Sequence, residues 1–217
     1  MPRKILSETT ELPYHITARG NNREAFPGDS AFLWKAFTSE LYLQSILHGN
    51  RTHAFVLMPN HFHLLLTVPK VALSKTMREF MSSSTRIINV RNGRSGHVFG
   101  GRYHWTIIDN PAYFAHALKY VYRNPVRAGL SPDVASYPFS TFAGIAGSAS
   151  LPLKITPPKG GLDRLIPGGE SIEKLEIWLD QPHRVEESEA IREALKRNCF
   201  KLPVSPTSRR AVKLPLD

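Results

Sequence analysis

The sequence is short of cysteine, of acidic side chains and of long apolar runs. Its one cysteine, Cys199, has no partner within the chain, which excludes an internal disulfide and fits a reducing compartment. No run of roughly 18 apolar residues is present to span a bilayer. The first residues, MPRKILSETTELPYH, carry charge but lack the apolar centre of a secretory signal. A cytoplasmic protein with no membrane partner is the resulting expectation. The 217 residues are enough for one good-sized domain with its own core plus an appendage.

The shortage of acid is what points to a partner. Lys and Arg total 28 against 18 Asp and Glu, a net charge of +10. Residues 1–150 hold 16 basic and 8 acidic side chains, and 151–217 hold 12 and 10. Between Lys75 and Arg127 only Glu79 and Asp109 are acidic. A basic field on a folded domain favours a polyanion, most often nucleic acid, and is otherwise a solvated cationic surface.

The order of elements follows from periodicity and breakers. PYHITARGNN (13–22) alternates and ends in a polar turn, so it reads as a strand entering a loop. Asp29 or Ser30 caps a helix over about 30–48, with Phe32, Phe37, Leu41 and Leu47 near helical spacing. THAFVLM and FHLLLTV form a hairpin around Pro59 and Asn60. Ser74 is placed to cap a second helix, SKTMREFMSSSTRIINV, and RYHWTIID supplies a fourth strand. Asn110-Pro111 opens a third helix, which Pro125 interrupts and Gly129 closes. The sequence β-α-β-β-α-β predicts an α+β, ferredoxin-like split βαβ sandwich: a four-stranded antiparallel sheet with helices on one face. From about 140 the chain turns rich in Gly, Pro and Ser. Residues 1–145 are therefore read as the main domain. Residues 146–217 are read as a linker, two short helices near 171–180 and 186–198, and a mobile basic tail.

Side chains alternate along a strand, so His61 and His63 share a face with Leu65 and Thr67, while Phe62, Leu64, Leu66 and Val68 make the opposite, apolar face. Two converging neutral imidazoles supply half of a metal coordination shell, or else hydrogen-bond beneath a loop. Phe114, Leu118 and Val121 form the buried stripe of the third helix. Tyr120 lies off that stripe, and Asn124, one turn on, faces nearly the same way. Pro125 disfavours helical geometry at Asn124 and sets it at the last turn. A helical tyrosine in such a place is either amphipathic packing or a functional group.

Four stretches, YHITARGNNR, HAFVLMPNHFHLLLTVP, GHVFGGRY and KYVYRNPVRAGL, in this order and spacing, resemble the single-tyrosine HUH transposases, and within them the REP-associated tyrosine transposases of bacteria. The resemblance runs from about Tyr14 to Phe142. It implies that His61 and His63 hold a divalent metal, Mg²⁺ or Mn²⁺, that Asn124 completes the site, and that Tyr120 is the nucleophile. A phenol of ordinary pKa near 10 attacks a phosphodiester poorly at neutral pH, and a cation on the phosphate oxygens offsets this. Two nitrogens and an amide oxygen suit a site with open positions rather than closed structural zinc, for which Cys199 is too remote.

The implied activity is cleavage and rejoining of structured, palindromic single-stranded DNA through a 5′-phosphotyrosine. The alternative is a DNA-hairpin-binding regulator that keeps the fold without cutting. Relaxases use similar chemistry but add a third metal-binding histidine and an early tyrosine. Expected DNA contacts are Arg19, Asn21, Asn22 and Arg23 in the first loop, and Arg102 and Tyr103 in GGRYHW. That stretch is either a stacking groove or a strand with core aromatics. Lys119, Arg123 and Arg127 form the basic surface beside Tyr120. Relatives commonly carry a larger polar residue at Gly100, and the part beyond 150 matches less clearly. Monomer and homodimer are both compatible with the resemblance.

Overall fold

The computed structural model describes residues 8–157 and 171–202. The tail PVSPTSRRAVKLPLD (203–217) and the Gly/Pro-rich stretch 158–170 lie outside them. The chain order is β1 (Tyr14–Arg19), α1 (Ser30–His48), β2 (Arg51–Met58), β3 (His61–Thr67), α2 (Leu73–Arg91), β4 (His104–Ile107) and α3 (Pro111–Tyr122). Short helices follow: α4 (Asn124–Arg127), α5 (Thr141–Ile145), α6 (Ile172–Asp180) and α7 (Val185–Ala194). The strands pair antiparallel in the order β2-β3-β1-β4, the split βαβ topology of an α+β fold.

Local chemistry sets the ends of these elements. The Asp29 carboxylate accepts from the Phe32 amide at 2.8 Å, and Gly49 closes α1 at φ 66°. Asn110 accepts from the Ala112 amide at 2.8 Å and caps α3. Ser74 does not cap α2: the helix begins one residue before it, behind Ala72, which offers no capping side chain. Glu8 reaches across instead and accepts from the Ser74 amide at 3.1 Å. A carboxylate from a distant segment thus replaces the local cap.

One face of the sheet buries Ile16, Phe62, Leu64 and Leu66 against α1 and α2, with Phe37, Phe80 and Phe99 at the centre. Each such side chain contributes about 1.5–3 kcal/mol when fully buried. This is the helical layer expected from the sequence. The opposite face is not bare. Ala54, Val56, Met58 and Leu65 pack there with Phe114, Leu118 and Val121 of α3 and with Trp178, Leu179 and Ile191 of α6 and α7. β2 is buried along nearly its whole length, which is why THAFVLM is a continuous apolar run rather than an alternating one.

The described part of the C-terminal segment therefore belongs to the packed core and is no loose arm. After α7 the chain runs along β4. Thr106 Oγ1 lies 2.7 Å from the carbonyls of both Leu195 and Arg197, which share its one proton, the Ile107 amide donates to Asn198 O at 2.9 Å, and Phe200 is fully buried. Composition concealed this because Gly and Pro mark irregular backbone, whether it is packed or free. Truncating Trp178 to alanine is expected to lower stability by about 3–5 kcal/mol, read by denaturant unfolding.

His53 ties the sheet to the segment after α5. Its Nδ1 donates to the Thr156 carbonyl at 2.6 Å, and its Nε2 accepts from the Thr67 hydroxyl at 2.8 Å. Burial holds this imidazole neutral, down to about 4, and His183 down to about 3. The unfolded chain takes up those protons near 6.5 and the folded chain does not. Stability is thus full above pH 6.5 and is expected to fall as pH drops from 6.5 toward 4, measured by denaturant midpoints across that range. Among the described residues no helix is long and apolar enough to cross a membrane.

Candidate active site

Strand register decides which side chains meet. β1 is central, and Arg19 pairs with His61, Thr17 with His63, and His15 with Leu65. On its other side Thr17 pairs with His104. Directly paired residues share a face, so His15, Thr17, Arg19, His61, His63 and His104 all project to one side. This is the side that α3 covers near Leu65 and leaves open near His61. The opening is a cleft of 380 Å³ whose floor is this set and whose walls are Tyr120, Asn124 and Arg127 from α3–α4 and Arg192 and Lys196 at α7.

Tyr120 is half-buried at the cleft wall, with its ring edge-on to His63 at 5.8 Å between centroids. The Arg127 guanidinium lies over the same ring at 5.3 Å. As the proline predicts, α3 ends at Tyr122, just ahead of Pro125. Pro125 opens a fresh turn, Asn124–Arg127, in which the Arg127 amide donates to Arg123 O at 2.9 Å. That reset keeps Asn124 pointing back into the cleft, where its Nδ2 meets His63 Nε2 at 3.0 Å.

The two imidazoles present usable nitrogens. His61 Nδ1 faces Asn60 Oδ1 at 2.7 Å and donates to it, which leaves the His61 Nε2 lone pair free. Burial, then the positive charge of Arg19, hold His61 down to about 4. Burial first, then the neighbouring His15 and His61 and the arginines Arg19 and Arg127, hold His63 well below the ordinary histidine value. Both rings are neutral near pH 7, the form that coordinates a cation. Among the described residues no group of three or more His, Cys, Asp or Glu side chains is arranged around a common metal position. The candidate donors are two imidazole nitrogens and the Asn124 carboxamide, which presents its oxygen when turned about its last bond. This mixed nitrogen and oxygen donor set is compatible with a divalent cation that keeps positions open for phosphate oxygens.

A second cleft, of 470 Å³, adjoins the first and shares Thr17, Arg19 and His104 with it. Asn21, Asn22, Arg23 and Arg102 line it. Its loop is tightly held: the Gly20 amide donates to Asn60 O at 2.8 Å, the Asn21 amide to Val98 O at 3.0 Å, and Asn60 Nδ2 to Arg23 O at 3.0 Å. Asn22 and Arg23 adopt φ 54° and 64°, a left-handed geometry that costs energy outside glycine and concentrates at functional loops. Gly100 lies against this loop, and a Cβ there would meet Gly20 O at 3.0 Å. The contact leaves little room for a side chain at position 100.

Three of the expected DNA contacts sit elsewhere. Tyr103 lines neither cleft and packs against the core on the α1–α2 side, because alternation sends Tyr103 and Trp105 to one face and Arg102 and His104 to the other. Lys119 is buried, with Nζ 4.4 Å from the Trp178 ring centroid. Arg123 is buried as well and donates to the carbonyls of Leu179 and Asp180. Both cations clamp α6 to α3, an occupant the sequence did not reveal. Sequence reasoning missed His15, His104, Arg192 and Lys196 as site residues. For His15 the signal was present, since PYHITARG alternates and puts His15 and Arg19 on one side. For Arg192 and Lys196 there was none short of knowing where α7 docks.

Residues 8–124 match the family described as "Transposase IS200 like". A REP-associated tyrosine transposase of Escherichia coli (strain K12) is 30% identical over 92 residues, 42% of this chain and 53% of that protein. The chain thus spans about half the length of this curated relative. A solved REP-associated tyrosine transposase, bound to a REP hairpin, superposes with a TM-score of 0.55 at 21% identity, over 74% of this chain and 97% of that one. That likeness concerns the fold. With its family match covering more than half of the sequence, the chain belongs to the IS200-like transposases.

Proposed function

We propose that the protein is a metal-dependent single-stranded DNA endonuclease and strand transferase acting on hairpin DNA. The observation that carries this reading is the meeting, in one cleft, of Tyr120 with His63 and Asn124 beneath the guanidinium of Arg127. His61, His63 and Asn124 would hold Mg²⁺ or Mn²⁺. When bound, the cation withdraws charge from the phosphate and stabilises what builds up in the transition state.

The chain's own groups supply the rest. Tyr120 Oη attacks the phosphorus, the P–O3′ bond breaks, and the 3′ oxygen leaves as a hydroxyl, gaining a proton as the phenol loses one. The product is a 5′-phosphotyrosine, whose bond energy lets another 3′-hydroxyl reverse the step and rejoin strands. Arg19 and Arg127 neutralise the backbone at the cut, and the adjoining cleft with Asn21, Asn22, Arg23 and Arg102 suits the neighbouring nucleotides.

Incubation with Mn²⁺ and a labelled hairpin strand is expected to give a covalent adduct that survives denaturing electrophoresis. Chelation abolishes the adduct while hairpin binding persists. Tight binding without any adduct would instead identify a non-catalytic regulator. Tyr120 meets His63 within one chain, which supports a site assembled in cis. Mixing a Tyr120→Phe protein with a His63→Ala protein is therefore expected to recover no adduct, whereas recovery would show sharing between subunits.

A further inference from the structure

We propose that His15 is a positioning residue that fixes the proton of His63 on Nδ1 and so keeps the His63 Nε2 lone pair aimed at the metal. The inference rests on the metal site proposed above. His15 Nε2 stands 2.9 Å from His63 Nδ1, with the rings stacked at 5.1 Å and 20°. Both side chains are buried, His15 at 2% and His63 at 6% exposure. A ring nitrogen pair this close holds one proton between them, and which partner owns it decides what the far nitrogens do.

If His15 owned the proton, His63 would carry its own on Nε2, facing Asn124, with no lone pair left for a cation. Metal binding requires the other arrangement. His63 Nε2 is the nitrogen that faces Asn124 and the cleft, so a cation held there needs its lone pair, and the His63 proton is then on Nδ1, 2.9 Å from His15 Nε2. His15 Nε2 then accepts it, and His15 must carry its own proton on Nδ1. That atom is buried without a hydrogen-bond partner among the described residues. An unpaired buried N–H destabilises the fold. A leucine at position 15 would avoid this cost, so stability alone does not account for an imidazole there. The strand register makes the contact a diagonal one, since His15 sits two residues along β1 from Thr17, the direct partner of His63. A carbonyl or carboxylate commonly plays this part for a metal-binding histidine, and here a third imidazole does so.

The test joins a spectroscopic reading of the tautomer to a metal titration. In the metal-free protein near pH 7.5, ¹⁵N spectra are expected to show His63 protonated on Nδ1 and bare on Nε2. In Mn²⁺ titrations followed by electron paramagnetic resonance, His15→Gln, which restores an acceptor, is expected to bind close to wild type. His15→Leu is expected to bind roughly 10–100-fold more weakly while melting no lower than wild type. A His63 proton on Nε2 overturns the proposal, as does wild-type Mn²⁺ affinity in His15→Leu when His61→Ala has lost it. Affinity indifferent to both His15→Leu and His61→Ala overturns the metal reading itself, and this inference with it. Should His15→Leu fail to fold, the spectra of the wild-type protein still decide.

Discussion

Replacing Tyr120 with phenylalanine is expected to abolish the covalent DNA adduct while leaving the fold and hairpin binding intact. The change removes one oxygen and keeps the ring, so the edge contact with His63 and the stacking beneath Arg127 survive. Loss of a side-chain nucleophile lowers turnover by on the order of 10⁶-fold in enzymes that depend on one, far beyond what an adduct assay detects. Tyr122, two residues on, does not substitute. It is buried on the other side of the helix, where its hydroxyl pairs with Thr141 Oγ1 at 3.0 Å and burial pushes its phenol above the ordinary value. Binding should change little, because the cleft's cations are untouched. An adduct of undiminished yield from the Tyr120→Phe protein would remove Tyr120 from the reaction.

The second large effect is expected at His63. His63→Ala deletes the nitrogen that meets Asn124 and strands the His15 imidazole, whose Nε2 loses its partner. Adduct formation should disappear together with Mn²⁺ binding. Stability should fall by about 1–3 kcal/mol for the unsatisfied buried group. His53→Ala is the matched control. It also truncates a buried, hydrogen-bonded histidine of the same sheet, but one bonded to Thr67 and Thr156 outside the cleft. That variant is expected to lose stability and keep the adduct. Equal loss of cleavage in both would mean that the assay reads stability rather than a metal ligand.

Much of this arrangement was legible in the residue order because strands and helices announce their faces. HFHLLLTV put His61 and His63 opposite an apolar stripe, and the stripe is where the core formed. The spacing of Tyr120 and Asn124 placed both residues on one side of α3, and the cleft contains both. Pro125 was read as an interruption, and α3 does end at Tyr122; the proline then fits the first turn of the next helix, Asn124–Arg127. What escaped the sequence was pairing across long separations. His15 reaches His63 through 48 residues of intervening chain, a contact fixed by β1–β3 register and by no local pattern. Lys119 and Arg123 looked like free cations beside Tyr120 because nothing in residues 171–200 advertises its docking site on α3 and β4. Tyr103 was misplaced for a simpler reason. A period of two assigns alternate residues to opposite faces, and RYHW interleaves both.

The proposed reaction joins the Tyr120 oxygen to the 5′ phosphate of a DNA hairpin cut beside His61 and His63. Peptide mapping of the adduct locates that bond. Trypsin cuts after Lys119 and Arg123 to release the peptide YVYR (120–123), and fragmentation separates Tyr120 from Tyr122. The expected result is a nucleotide mass on Tyr120, formed with Mn²⁺ and absent after chelation. A nucleotide on Tyr122, Tyr113 or any other residue, or a cut strand with no attached peptide, would contradict it.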